Sequence, residues 1–179
     1  NKQSENYEKT LEGKPSFFKY YPSRISFEKS FVQGAYSLDD PNIKDLITHT
    51  SDVFNFNCKN NAETVIFVIS DPNNYALRQN IRNSYGKNNV NFKYMFENGT
   101  QNNISHCFLF SIGYREDIVL NNKVDFEAFI HNDIIRIPIY DEYRKTANKI
   151  VLTLYLLDQM ETAFKFVIKT DDDIFLKIN

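Results

Sequence analysis

The stretch Thr64-Val-Ile-Phe-Val-Ile69 is a nearly continuous run of β-branched and aromatic side chains. A half-solvated strand alternates apolar with polar residues, because successive side chains point to opposite faces. A run that is apolar on both parities is a strand covered on both sides, which belongs to parallel sheets whose crossover helices pack on each face. Ser70-Asp-Pro-Asn-Asn74 breaks the run, and Tyr75 to Tyr85 then carries Leu77, Ile81 and Tyr85 at helical spacing, with Gly86 as its stop. Val90 to Phe96 and His106 to Ser111 read as strands separated by a polar loop, and Glu116 to His131 as a helix anchored by Ile118, Phe126 and Phe129. Ile134 to Ile139 is strand-like, with Pro138 assigning it to an edge or end. Asp141 is the expected N-cap of a helix whose apolar stripe is Tyr143, Ala147, Ile150, Val151, Leu154 and Leu157, and Phe164 to Ile168 is the next buried strand. Strands alternating with helices in this way predict an α/β fold, a mostly parallel sheet flanked by helices. Ligands of such sheets bind beyond the carboxyl ends of the strands.

Composition narrows the function classes. With 179 residues the chain is long enough for one domain with a substantial core. A formal net charge of −2 gives no electrostatic basis for binding nucleic acid. No stretch approaches the roughly 20 apolar residues of a membrane span, and no secretory leader is present. The sequence has no initiator Met and stops just after a strand-like segment, so it reads as an internal piece of a longer protein, with any membrane anchor in an absent N-terminal segment. Residues 1–57 read as a stem or irregular segment, with a short helix near Asn42 to His49. Cys58 and Cys107 are either two buried thiols or one disulfide formed in an oxidising compartment; the sequons at Asn98 and Asn103, within a loop-like stretch, favour the second.

The apolar run ending at Ile168 passes through Lys169-Thr170 into three consecutive carboxylates, Asp171, Asp172 and Asp173. On the residues alone, a solvated acidic turn and a cation site are both open. In an extended chain Asp171 and Asp173 share one side with Lys169, and Asp172 takes the other. Two carboxylates at a strand end suit Mg²⁺ or Mn²⁺, and the cation then holds a phosphorylated ligand. Arg78 and Arg82, at i and i+4, present two planar guanidinium groups to one region, where phosphate or carboxylate oxygens match them. A solvated basic helix face is the plainer alternative for that pair, and for Lys145 and Lys149. No Gly-rich phosphate loop occurs in the chain.

Five blocks in order carry a family resemblance. They are Val68-Ile-Ser70 with Leu77-Arg78-Gln-Asn-Ile81-Arg82-Asn-Ser-Tyr85-Gly86; Phe108-Leu-Phe-Ser-Ile-Gly113; Glu127 with Asp133-Ile-Ile135; Asp141-Glu-Tyr143 with Lys149; and Phe166-Val-Ile-Lys-Thr-Asp-Asp-Asp-Ile-Phe175. Together they resemble the β-1,3-galactosyltransferase-like enzymes of glycosyltransferase family 31, and Cys58 falls where that family carries a cysteine before its first strand. Tyr85 departs from the family's Trp, Lys145-Thr146-Ala147 from Asn-Leu-Thr, and Glu161 lies near the place of a further cysteine.

The resemblance implies a GT-A-like, Rossmann-like nucleotide-sugar fold over residues 58–179, truncated after the D-x-D motif. It implies inverting transfer of galactose or N-acetylhexosamine from a UDP-sugar to a glycan acceptor on a glycoprotein or glycolipid. Mn²⁺ (or Mg²⁺) would be held by Asp173, with Asp171 or Asp172 on the ribose or a metal-bound water. Arg78, Arg82, Lys149 and Lys169 would serve the nucleotide side. The acceptor site and the catalytic base lie beyond the chain on this reading. The resemblance also implies the Golgi lumen and a single-pass type II membrane protein. A non-catalytic luminal binding domain of the same fold is the alternative, and an α/β phosphotransferase using the aspartates for Mg²⁺ ranks below both.

Overall fold

The structure is a computed structural model that describes residues 62–86, 106–160 and 164–176, the backbone of 92–95 and 101–104, and residues 44, 47, 48, 50–53 and 58. The described residues between 44 and 53 are helical. The elements are β1 (Thr64–Ile69), α1 (Tyr75–Asn83), β2 (Phe92–Met95), β3 (Gln101–Ile104), β4 (His106–Tyr114), α2 (Ile118–His131), β5 (Ile134–Tyr140), α3 (Thr146–Asp158) and β6 (Phe166–Asp171). β1, β4, β5 and β6 form one sheet in the order β5-β4-β1-β6, and every pairing in it is parallel.

The uninterrupted apolar run of β1 reflects burial on both faces. Val65, Phe67 and Ile69 pack with Leu109 and Ile137 against Leu152, Leu156 and Leu157 of α3. Ile66 and Val68 pack with Phe108 and Phe110 against Ile81 of α1 and Val124 and Ala128 of α2. Strand parity thus divides the core into two layers, one on each side of the sheet. Among the described residues Pro138 lies in an edge strand, β5, where a missing N–H leaves no gap in a ladder. Cys58 and Cys107 form a disulfide that ties the segment before β1 to β4.

Five sequence expectations are corrected. The stretch between β2 and β4 is not all loop: Gln101–Ile104 pairs antiparallel with Phe92–Met95 as a separate two-stranded sheet, despite its Asn content. Asp141 is not a helix N-cap; a 3-10 turn at Tyr143–Lys145 precedes α3, and the Asp141 carboxylate points into the protein. The buried face of α3 is Lys149, Leu152, Thr153, Leu156 and Leu157, whereas Tyr143 is 96% exposed and Val151 and Leu154 face water. In α2 the inward face holds Asn121, Asp125 and Glu127 beside Val124 and Ala128, and Ile118 and Phe126 point outward. These carboxylates turn inward because buried arginines wait there. Last, β6 is not buried: it pairs on one side only among the described residues, and Phe166 is 57% exposed.

Candidate functional site

From β1 the chain steps to β4 and β5 on one side and then returns as β6 on the other, so the winding reverses between β1 and β6. In open parallel sheets the ligand crevice opens at that reversal, outside the carboxyl ends of the strands. The turn Ser70–Asn74 after β1 and the acidic triplet ending β6 stand on its two sides. Asp172 joins them. Its Oδ2 accepts from Ser70 Oγ at 2.6 Å, from Asn74 Nδ2 at 3.0 Å and from the Asp71 backbone N–H at 3.4 Å.

Strand alternation holds only as far as Asp171, where β6 ends in a turn. Lys169 and Asp171 do share a side, and Lys169 Nζ pairs with both Asp171 oxygens at 2.7 Å. Beyond that point Asp172 folds back onto the β1 turn, while Asp173 is exposed and makes no hydrogen bond or ion pair among the described residues. The three carboxylates therefore have three situations: Asp172 is a tether, Asp171 is paired, and Asp173 has its full acceptor capacity available.

That division bears on a cation. Among the described residues, no cluster of three or more His, Cys, Asp or Glu side chains gathers as a metal cage. Mg²⁺ and Mn²⁺ bound with a nucleotide need no such cage, since one or two carboxylates plus phosphate oxygens and waters complete the shell. An unencumbered Asp173 beside the crevice fits that requirement.

Arg78 and Arg82 do face one region, and the acceptor they share is a carboxylate. Glu127 accepts from Arg78 Nε at 2.9 Å, from Arg78 Nη2 at 2.7 Å and from Arg82 Nη1 at 2.7 Å, and Asp133 accepts from Arg82 Nε and Nη2. Burial pushes Glu127 up, but hydrogen bonds and charge from Arg78 and then Arg82 outweigh it and hold the carboxyl below its ordinary value. Likewise burial lowers Arg82, and Asp133 and Glu127 more than restore it, leaving its value raised. Arg78 is fully buried yet tied to the crevice. Its Nη1 donates to Ser70 Oγ at 2.9 Å and to the Asp71 carbonyl at 2.6 Å, so Glu127, Arg78, Ser70 and Asp172 form one hydrogen-bonded series.

Lys149 reaches the same serine from α3. Its Nζ donates to the Ser70 carbonyl at 3.1 Å and to Asp141 Oδ1 and Oδ2 at 2.7 and 2.8 Å. Asp141 also accepts from the Gly113 backbone N–H at 2.8 Å. A Cβ at Gly113 would lie 2.8 Å from the Ile139 carbonyl and 3.0 Å from Asp141 Cβ, so only glycine lets the ends of β4 and β5 approach this closely. Lys145, one turn before Lys149, instead lies over the Tyr140 ring.

Tyr85 fastens the segment after the triplet. Its hydroxyl donates to the Ile174 carbonyl at 3.0 Å, and its ring stands edge-on to Phe108 and Phe175. Burial, then the charge of Asp172, push this phenol up to about 12. Tyr85→Phe keeps both ring contacts and loses one hydrogen bond, so it is expected to destabilise by about 1 kcal/mol. Tyr85→Ala is expected to cost roughly 3 kcal/mol, both read from urea unfolding.

Sequence reasoning passed over Ser70, Asn74, Glu127, Asp133 and Asp141 as site residues. Ser70 and Asn74 sit at a strand's carboxyl end, and Ser70, Glu127, Asp133 and Asp141 stand within the family blocks, though none of them carries a site role in that reading. Arg136 was also missed: it is buried, bonds the Gly113 carbonyl at 2.6 Å and lies over the Tyr114 ring. Asn98 lies outside the described residues, and Asn103 falls on β3, where only the backbone is described.

Comparison with known proteins agrees with this arrangement. The profile of the family described as Galactosyltransferase matches residues 76–179. The mouse, human and gorilla proteins named Beta-1,3-galactosyltransferase 1 are each 31% identical over 123 residues, 68% of this chain and 35% of theirs. The chain thus spans about a third of the length of these relatives. The matched region runs from the start of α1 through the acidic triplet, and with it the chain belongs to the galactosyltransferase family.

Proposed function

We propose that this chain supplies the donor-binding part of a metal-dependent, inverting hexosyltransferase. The donor is a UDP-sugar carrying galactose or N-acetylhexosamine, and the acceptor is a glycan on protein or lipid. The observation that carries the reading is the division of labour in the triplet. Asp172 fixes the turn across the β1–β6 switch point, and Asp173 is left free beside it. Asp173 holds Mn²⁺ or Mg²⁺ on this reading, with Asp171 released from Lys169 as a second ligand or a contact to a metal-bound water. The cation supplies positive charge against the diphosphate of the leaving nucleotide.

The residues of this chain do the rest of the donor work. Ser70 and Asn74 orient the triplet through Asp172, Arg78 and Lys149 act on the nucleotide side by holding the β1 turn, and Arg82 acts there indirectly by bracing Glu127, the partner of Arg78. Lys169 stands ready to exchange Asp171 for a phosphate oxygen. The acceptor and the general base are assigned to the part of the relatives' length outside this match. The disulfide and the sequons at Asn98 and Asn103 support an oxidising, glycosylating compartment, for which we propose the Golgi lumen, with the chain as part of a single-pass type II membrane protein. Among the described residues no helix is long and apolar enough to cross a membrane.

The test is UDP binding by the full-length protein with and without Mn²⁺. Asp173→Ala is expected to remove the Mn²⁺-dependent part of the affinity, at least tenfold, with the melting temperature unchanged because the side chain is exposed and unpartnered. Identical Mn²⁺-dependent binding in the variant would sink the assignment.

A further inference from the structure

Four cations expected near the nucleotide have internal partners. Arg78 and Arg82 bind Glu127 and Asp133, Lys149 binds Asp141, and Lys169 binds Asp171. Arg115 is paired as well, but through one terminal nitrogen and with a partly exposed side chain. It is the first residue after β4, so it stands at the carboxyl end of the strand next to β1. Its Nη2 pairs with Asp71 Oδ2, one residue after Ser70 in the turn that tethers the triplet. Burial alone would raise Asp71, but bonds from the Asn73 backbone and Arg115 outweigh it and hold this carboxyl below its ordinary value, so the pair stays ionised.

The position of Arg115 is imposed by the fold. The fully buried Asn121 clamps its backbone on both sides, accepting from the Arg115 N–H at 3.0 Å and donating to its carbonyl at 2.5 Å. The guanidinium nevertheless has unused capacity. Among the described residues its side chain is bonded through Nη2 alone, to Asp71, and the side chain as a whole is 36% accessible, so a terminal nitrogen is open to a further acceptor. A guanidinium has five N–H donors in a rigid fork, so one ion pair to Asp71 leaves donors to serve a second acceptor. The acceptor that such a fork matches best is a carboxylate or phosphate.

Charge balance selects between these. A nucleoside diphosphate brought to the triplet adds negative charge to a place where Lys169 offsets Asp171 and Arg115 offsets Asp71 but Asp172 and Asp173 have no cation among the described residues, so a divalent ion at Asp173 does not balance it alone. We propose that Arg115, oriented by Asp71, is a phosphate-binding residue of this site and donates to the diphosphate of the nucleotide. The inference rests on the donor reading above and adds a residue that the family resemblance did not supply.

The experiment measures UDP and uridine binding in Mn²⁺ by the full-length protein, its Arg115→Ala and Arg115→Lys variants, and Asp173→Ala. Arg115→Ala is expected to weaken UDP roughly tenfold to a hundredfold, the range for a hydrogen bond to a charged group. Arg115→Lys should recover part of that loss, and uridine, which has no phosphate, should bind all of these proteins alike. Arg115→Gln stands in if the alanine variant does not fold, with the same loss expected. Unchanged UDP affinity in Arg115→Ala beside an intact Asp173 dependence overturns the role of Arg115 alone. An equal loss of uridine affinity also overturns it, since the contact would then be with the nucleoside. Absence of UDP binding by the unaltered protein overturns the donor reading itself.

Discussion

Glu127→Ala is expected to destabilise the protein by about 3–5 kcal/mol, the range for removing one partner of a buried ion pair. The variant would strand Arg78, whose side chain is fully buried and donates two of its hydrogen bonds to this carboxylate. Arg82 would retain Asp133, so the loss concentrates on Arg78. Because Arg78 also holds Ser70 Oγ and the Asp71 carbonyl, the loosening should reach the turn that braces Asp172. Urea unfolding of wild type, Glu127→Ala and Glu127→Gln measures the first effect. The pH dependence separates charge from shape. Glu127 titrates below its ordinary 4.5 in the folded protein, so its charge contributes in full above that pH and is lost as pH falls through the lower folded value. The stability gap between wild type and Glu127→Gln is therefore expected at full size at pH 7 and to close in acid below pH 4.5. A gap that stays constant across that window would mean that Glu127 acts through packing rather than charge.

Reduction of Cys58–Cys107 is expected to lower stability by about 4 kcal/mol, from the entropy of a cross-linked loop of this length. The bond closes a sequence separation of 49 residues, a loop that contains β1 and α1. Both cysteines are buried, so reduction needs partial opening and should be slow in native buffer. Unfolding curves with and without reductant give the difference directly. A change below about 1 kcal/mol would show that the unfolded chain is already restricted at this point.

The sequence made the skeleton legible because its signals were local. Five consecutive apolar residues in β1, Val65 to Ile69, announced burial on both faces, and the break at Ser70 together with the triplet at Asp171 marked two strand ends. What could not be read was orientation. Apolar spacing in α2 pointed to Ile118 and Phe126 as the packed side, yet the sheet end needed carboxylates for Arg78, Arg82 and Arg136, and the helix turned Asp125 and Glu127 inward. A requirement of that kind is set by residues distant in sequence, which a helical period does not record. Asp141 was misread for the same reason: its partners, Lys149 and the Gly113 N–H, exist only once β4 and β5 lie side by side. The triplet was located correctly, but the roles within it depended on where β6 stops.

The exposed edge of β6 has a consequence for how the protein behaves in solution. Phe166, Val167 and Ile168 are half open to water, on a strand with hydrogen-bonding groups unmatched along one side among the described residues. Such an edge templates strand-to-strand aggregation unless charges interrupt it. Lys165 and Lys169 bracket the apolar triad, each in an ion pair, and these charged groups end the apolar stretch on both sides. Lys169 thus interrupts the apolar edge with the same ammonium group that neutralises Asp171, so edge polarity and site chemistry constrain one side chain at once.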